Sequence, residues 1–249
     1  MNLTSQARQV VATGNLFLDA LDDAANATGI RSRIDSVYGT TGDQIARSGS
    51  SIDSVYFPTT GVISSVTRMK DGTAIEVAVI GREGFFGLPL ALGDPTSASE
   101  AMVQISGWMW RMSSADFLAA VHSDVDFERH ALRYAQAMLE TLAQFSGCNR
   151  LHAIDQRFAR WLIMAHDRVE GDTMPLTHEY LAMMLGVRRP GVTLAASSLE
   201  RAGIIEYHRG LIRLLDRAAL EAKACECYNV VNDAFVRLLA YEVRKSRRA

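Results

Sequence analysis

Arg188 and Arg189 stand side by side directly before Pro190. Proline has no N–H to leave unpaired in the first turn of a helix, so it marks a helix start there. Two guanidinium groups at such a start can meet base edges or phosphate. Arginine pairs with both major-groove acceptors of guanine at once, and a helix N-terminus attracts phosphate in its own right. Thr193 and Ser197 follow one and two turns later on the polar face. Thr177 is suited to cap the preceding helix, with His178 in its first turn. Arg209 lies in His208-Arg209-Gly210, a turn between two short strand-like runs, where it could hold a phosphate backbone. The expected chemistry is DNA recognition by Thr177, His178, Arg188, Arg189, Thr193, Ser197 and Arg209.

Cys225-Glu226-Cys227 invites a metal reading, but only Cys148 remains elsewhere, and three thiols are an incomplete tetrahedral set. Reduced, buried cysteines are the expectation, with no metal and no cofactor identified. Enzyme chemistry finds little support. Metal-dependent oxygenase chemistry in a β-roll needs histidine ligands, and the first histidine is His122, beyond the strand-rich region. P-loop, nucleophile-elbow and dinucleotide fingerprints are missing from the sequence.

The elements that must position the arginines are legible. Tyr180, Leu181, Met184 and Leu185 make the apolar face of a short helix that Gly186 ends. Val192, Ala195, Ala196 and Leu199 face inward from a second helix that runs to about Ala202, and Gly203 stops it. Residues 204–207 and 211–215 are two strands forming a wing. Helix, glycine turn, helix and wing is the geometry that presents a second helix to the major groove. A further helix is expected over 149–168, with the domain boundary at Gly147-Cys148-Asn149.

Upstream, Phe127, Ala131, Tyr134, Met138, Leu142 and Phe145 recur at spacings of three and four, a stripe along a long helix. Leu132 and Leu139 add a second apolar edge. A helix apolar on two faces needs two partners, and a second copy of the same helix or the chain's own core would each serve. Before it, short apolar runs alternate with turn chemistry from Val37 to Met112, including the hairpin signal Asp71-Gly72. Many short strands with regular turns imply an antiparallel roll. A short helix with Leu18, Leu21 and Ala25 on one face is expected over 16–30.

The 249 residues are 48% hydrophobic with a net charge of -2, enough apolar content for a full core. Residues 1–149 carry 10 Lys+Arg against 16 Asp+Glu, and residues 150–249 carry 16 against 12. The basic half is the better match for a polyanion. No apolar run has the length of a membrane span, and the start lacks signal-peptide character, so a cytoplasmic protein with no membrane partner is expected.

The order of helix, β-roll, long helix and winged helix resembles the Crp/Fnr family of bacterial transcription regulators. The resemblance rests on Thr41-Gly42-Asp43-Gln44-Ile45, on Ile52-Asp53-Ser54-Val55-Tyr56-Phe57-Pro58, on Gly81-Arg82-Glu83-Gly84-Phe85-Phe86-Gly87, on Cys148-Asn149-Arg150-Leu151-His152 and on 176–205. It implies an α+β chain: an antiparallel, cyclic-nucleotide-binding-like β-roll sensor at 15–122, a dimerisation helix at 123–147, a winged helix-turn-helix at 148–220 and a helical extension at 221–249. It implies a homodimer on a palindromic operator, joined through Phe127, Ala131, Tyr134, Met138, Leu142 and Phe145. Double-stranded DNA and RNA polymerase are the implied partners. An effector pocket would lie at Gly81, Glu83, Gly84, Phe85, Phe86 and Ser99. Nucleotide-binding members hold the cyclic phosphate with an Arg-Ser or Arg-Thr pair. Here the matching stretch is Ser97-Ala98-Ser99-Glu100-Ala101, and no Lys or Arg occurs from Glu83 to Trp110. That disfavours cyclic AMP held in the family's manner. No cysteine precedes Cys148, so the family's iron–sulfur cluster is not expected. Alternatives are a cyclic-nucleotide-binding signalling protein and a β-roll enzyme.

Overall fold

The computed structural model describes residues 12–21 and 26–244. Two short helices, α1 (Leu16–Asp19) and α2 (Asn26–Arg31), come first. Ala25, expected on their apolar face, lies outside the described residues. Seven strands follow: β1 (Ile34–Gly39), β2 (Gln44–Ala46), β3 (Ser54–Pro58), β4 (Val62–Arg68), β5 (Ala74–Ile80), β6 (Glu100–Ile105) and β7 (Gly107–Ser113), with α3 (Leu88–Ala91) between β5 and β6. They form two antiparallel sheets, of order β1-β7-β3 and β2-β6-β4-β5. Asp71-Gly72 turns the β4–β5 hairpin, where Arg68 pairs with Ala74 and Ile63 with Ile80. Gly72 takes φ +87°, the conformation that makes a Gly there cheap. Inward side chains from both sheets, among them Val55, Phe57, Ile63, Val103, Met109 and Met112, build the core of the roll.

Ser113 caps α4 (Ser114–Ser123) by accepting from the Asp116 N–H. The long α5 (Val125–Leu151) then crosses the roll. It runs through Gly147 without a break, since one glycine costs a helix only about 1 kcal/mol. The chain turns at His152 and Ala153 instead, both in extended conformation, before α6 (Ile154–Arg168). The second domain continues with β8 (Thr173–Pro175), α7 (His178–Leu185), α8 (Arg189–Arg201), β9 (Ile205–His208), β10 (Leu211–Leu214) and α9 (Arg217–Lys223). Its sheet has the order β8-β10-β9. Strand β8 was not foreseen, because three residues ending at Pro175 carry no alternation to read. The extension after α9 is α10 (Cys227–Leu239).

Helix α10 packs along α5. Tyr228 on α10 donates to Asp167 Oδ2 at 2.8 Å, and Arg217 donates to Asp167 Oδ1 at 2.6 Å. The extension is thereby fastened to α6 and α9. No helix among the described residues is long and apolar enough to cross a membrane.

Candidate nucleic-acid interface

Thr177 Oγ1 accepts from the Tyr180 N–H, capping α7 as its residue type predicts. Gly186 then takes φ +60°, turning the chain sharply into α8. A Cβ there would also lie 2.6 Å from Ile75 Cδ1, because α7 packs against β5 of the roll. Leu181, Met184 and Leu185 of α7 are buried, as are Val192, Ala195, Ala196 and Leu199 of α8. The apolar faces meet, and the polar face of α8 is left to solvent.

Arg188 is the N-cap of α8 and Pro190 sits in its first turn. Both Arg188 and Arg189 are exposed. The Arg189 guanidinium pairs with Glu179 Oε1 on α7 at 2.7 Å. One turn on, Thr193 Oγ1 donates to the Arg189 carbonyl and lies 3.1 Å from His178 Nδ1. The His178 ring stacks on Tyr207 of β9, with centroids 4.3 Å apart. Burial, then the charge of Arg189, holds His178 below its usual pKa. Arg209 stands at the tip between β9 and β10 with φ +49°. Gly210 beside it accepts from the Leu176 N–H at 2.7 Å, which brings the wing tip to the start of α7. Helix start, α7 N-terminus and wing are thus linked by direct contacts. Ser197 is half-buried, further along α8. Sequence reasoning missed Glu179, whose carboxylate pairs with Arg189. Leu194 is 71% exposed on α8.

Of the residues expected to line an effector pocket, Gly81, Glu83, Gly84, Phe85 and Phe86 are buried against the chain's own side chains. Glu83 is buried, and its Oε1 accepts from the Gly81 N–H at 3.1 Å and from Arg168 of α6 at 2.9 Å. A Cβ on Gly81 would fall 2.6 Å from the Arg168 side chain, and one on Gly84 2.2 Å from the Tyr134 ring. Both glycines admit neighbours from the chain itself. Phe85 and Phe86 are core residues. Ser99 bonds Ser65 on β4 instead of facing this loop.

The long helix also corrects an expectation. Phe127, Ala131, Tyr134 and Met138 are buried within their own chain. Tyr134 packs on Phe85 at 4.9 Å and on Phe235 of α10 at 6.3 Å. These four face the roll and α10 and are not available as a seam between copies. Phe145 is half-buried under the Arg160 guanidinium, 3.9 Å from its ring centre. Leu142 alone of the six is exposed, beside Leu132 and Leu139.

Four side chains that the sequence leaves scattered also meet. Cys148 and His152 at the end of α5 come together with Cys225 and Cys227 at the start of α10, all four ligand atoms lying within 4.8 Å of one another. The set judged incomplete from three cysteines gains its fourth member from His152.

The family model for the cyclic nucleotide-binding domain matches residues 39–124. The model for the Crp-like helix-turn-helix domain matches residues 156–223. Together they span more than half of the chain, the cyclic nucleotide-binding domain first and the helix-turn-helix domain second. The chain belongs to the Crp/Fnr family. Solved Crp/Fnr structures share the fold. FixK2 from Bradyrhizobium japonicum superposes with a TM-score of 0.66 at 19% identity, over 77% of this chain and 98% of that one. A putative Crp/Fnr transcriptional regulator from Eubacterium rectale gives 0.63 at 15% identity, over 81% and 94%. A CRP-family transcriptional regulator from Thermus thermophilus gives 0.63 at 20% identity, over 76% and 96%. No curated protein matches the sequence significantly. Within this Crp/Fnr chain the 81–87 loop of the roll is held by Arg168 of the helix-turn-helix domain, so the two domains meet there.

Proposed function

We propose that the chain is a homodimeric transcription regulator that reads a palindromic DNA site with paired α8 helices. The observation that carries the reading is the exposed start of α8, with Arg188 and Arg189 exposed there and Arg209 exposed at the wing tip. Arg189 reads a base edge, while Arg188 and Arg209 hold phosphates. Thr177, His178, Thr193 and Ser197 line the same approach.

The dimer forms through the free face of α5. Val125, Leu132, Leu139 and Leu142 are exposed there at intervals of seven, seven and three, a heptad seam. Pairing two such helices sets two α8 starts on one face of a duplex. RNA polymerase is the further partner that a regulator of this family would engage.

Binding-site selection from random duplex tests the reading. An inverted repeat is expected, with half-site centres about one helical turn, roughly 10 base pairs, apart. Binding that selects no sequence and vanishes as salt rises would overturn it, since that is the signature of phosphate contact alone.

A further inference from the structure

We propose that Cys148, His152, Cys225 and Cys227 form a tetrahedral site for one zinc-type divalent ion, at the junction between α5 and the DNA-reading domain. Three thiolates and an imidazole are the donor set such an ion takes in closed, structural sites. The spacings fit a single ion. Bonds of about 2.3 Å to sulfur place the corners of a tetrahedron about 3.8 Å apart. Here Cys148 Sγ and Cys225 Sγ are 3.5 Å apart, and Cys227 Sγ and His152 Nδ1 are 3.5 Å apart. An iron–sulfur cluster holds its ligands around several atoms and spreads them further.

The surroundings point the same way. His152 Nε2 lies 3.2 Å from Glu226 Oε1. The carboxylate accepts a hydrogen bond from Nε2–H, the tautomer that leaves the Nδ1 lone pair facing the three thiols. A carboxylate behind a metal-binding histidine is the usual outer support of such sites. Gln144 donates to Cys227 Sγ at 3.0 Å, a bond suited to a thiolate. Arg160 is buried within electrostatic reach of Cys148, and offsets the single negative charge of an ion with three thiolates. Cysteines buried merely as small apolar groups need neither a histidine aimed at them nor a carboxylate aiming it.

The sequence hides the site because its halves are distant. Cys148 and His152 are one helical turn apart on α5, whereas Cys225 and Cys227 flank the start of α10. The ion would pin the start of α10 to the end of α5 at the break itself, through Cys148 and the C-cap residue His152. That break sets the direction in which α6 leaves α5. The site therefore fixes how the DNA-reading domain hangs from the sensor. Binding displaces the thiol protons, so loading weakens in acid.

Elemental analysis of the full chain, purified without chelator under reducing conditions, tests the proposal. About one zinc per chain is expected. Cobalt(II) added to reduced, chelator-stripped protein should give the visible bands of tetrahedral cobalt and thiolate charge transfer below them in wavelength. His152→Gln should weaken these bands, and Cys227→Ser should abolish most of the charge transfer. Metal below about a tenth of an equivalent together with no cobalt bands would overturn the proposal. So would iron with acid-labile sulfide, or a Cys148–Cys225 disulfide in the untreated protein. If a cysteine variant fails to fold, the cobalt spectrum of the unaltered chain still decides. None of these readouts involves DNA, so the metal site and the regulator reading stand or fall separately.

Discussion

Arg168 and Glu83 form a buried ion pair across the two domains, with the Arg168 Nη2 2.8 Å from Glu83 Oε1 and both side chains at most 3% exposed. One partner belongs to α6 of the helix-turn-helix domain, the other to the loop after β5 of the roll. Removing either partner strands a charge out of water, at a cost of about 3–5 kcal/mol. Arg168→Met and Glu83→Gln should each lower stability by that order in urea denaturation. The double variant should recover much of the loss, because neither charge is then left alone. Additive losses in the cycle would show that the two groups do not act as a pair.

Glu76 supplies a pH dependence. Its carboxylate is enclosed between Ser64 of β4 and Trp161 of α6, whose indole N–H donates to it at 2.6 Å. Burial raises its pKa from 4.5 to about 7, and the donors from Ser64 and Trp161 only partly oppose this. The folded state thus binds a proton that the unfolded chain has released. The contribution to stability is complete below pH 4.5 and is lost as pH rises through about 7. Glu76→Gln keeps a neutral side chain, so its urea midpoint should change less between about pH 6 and pH 8 than that of the parent. Parallel declines in the two proteins would refute the assignment.

The three arginines of the proposed interface should have separable roles. Arg189→Ala should cost about 1–3 kcal/mol per half-site and relax the preference at one base pair. Arg188→Ala and Arg209→Ala should weaken all sequences alike, each lowering the salt slope by about one per half-site. Glu179→Ala should leave stability nearly unchanged, since exposed ion pairs contribute little, yet blur the same base pair as Arg189→Ala. A site preference altered by Arg188→Ala and untouched by Arg189→Ala would reverse the two roles.

Two neighbouring residues on α5 distinguish seam from core. Leu139 is 60% exposed and Met138 is buried. Leu139→Glu should yield folded monomers by light scattering at micromolar concentration. Met138→Glu should instead unfold the chain, seen as lost cooperativity in thermal melts. A folded monomer from Met138→Glu would return that residue to the seam.

Cyclic AMP should not bind with micromolar affinity in calorimetric titration. Arg168 occupies the space above Gly81, and Ser97 to Glu100 provides no cation for a phosphate. Saturable micromolar binding would mean that Arg168 leaves Glu83 to serve the ligand.

The parts of this fold that obey local rules were legible in the sequence. Thr177, Gly186 and Pro190 place the ends of α7 and α8 through cap and turn chemistry that depends on neighbours alone. Asp71-Gly72 locates its hairpin for the same reason. The two faces of α5 could not be ranked. Both are apolar, and only long-range packing, such as that of Phe85 and Phe235 on Tyr134, shows that Tyr134 and Met138 face inward while Leu139 does not. The Arg168–Glu83 pair and the meeting of His152 with Cys225 and Cys227 were hidden likewise. Each joins residues whose separation along the chain gives no spacing to recognise.

Helix α10 has a consequence for how the protein is made. Phe235 lies against Tyr134, and Tyr241 donates to the carbonyl of Glu83. Everything these residues cover is synthesised before them. The roll and α5 leave the ribosome with the Tyr134 flank of α5 still bare, and domains generally fold as they emerge. That flank stays open to chaperones, or to the same flank of a neighbouring nascent chain, until residues 227–243 arrive. The sensor is therefore finished only after the DNA reader has been translated, so no finished sensor exists on a chain that still lacks its reader.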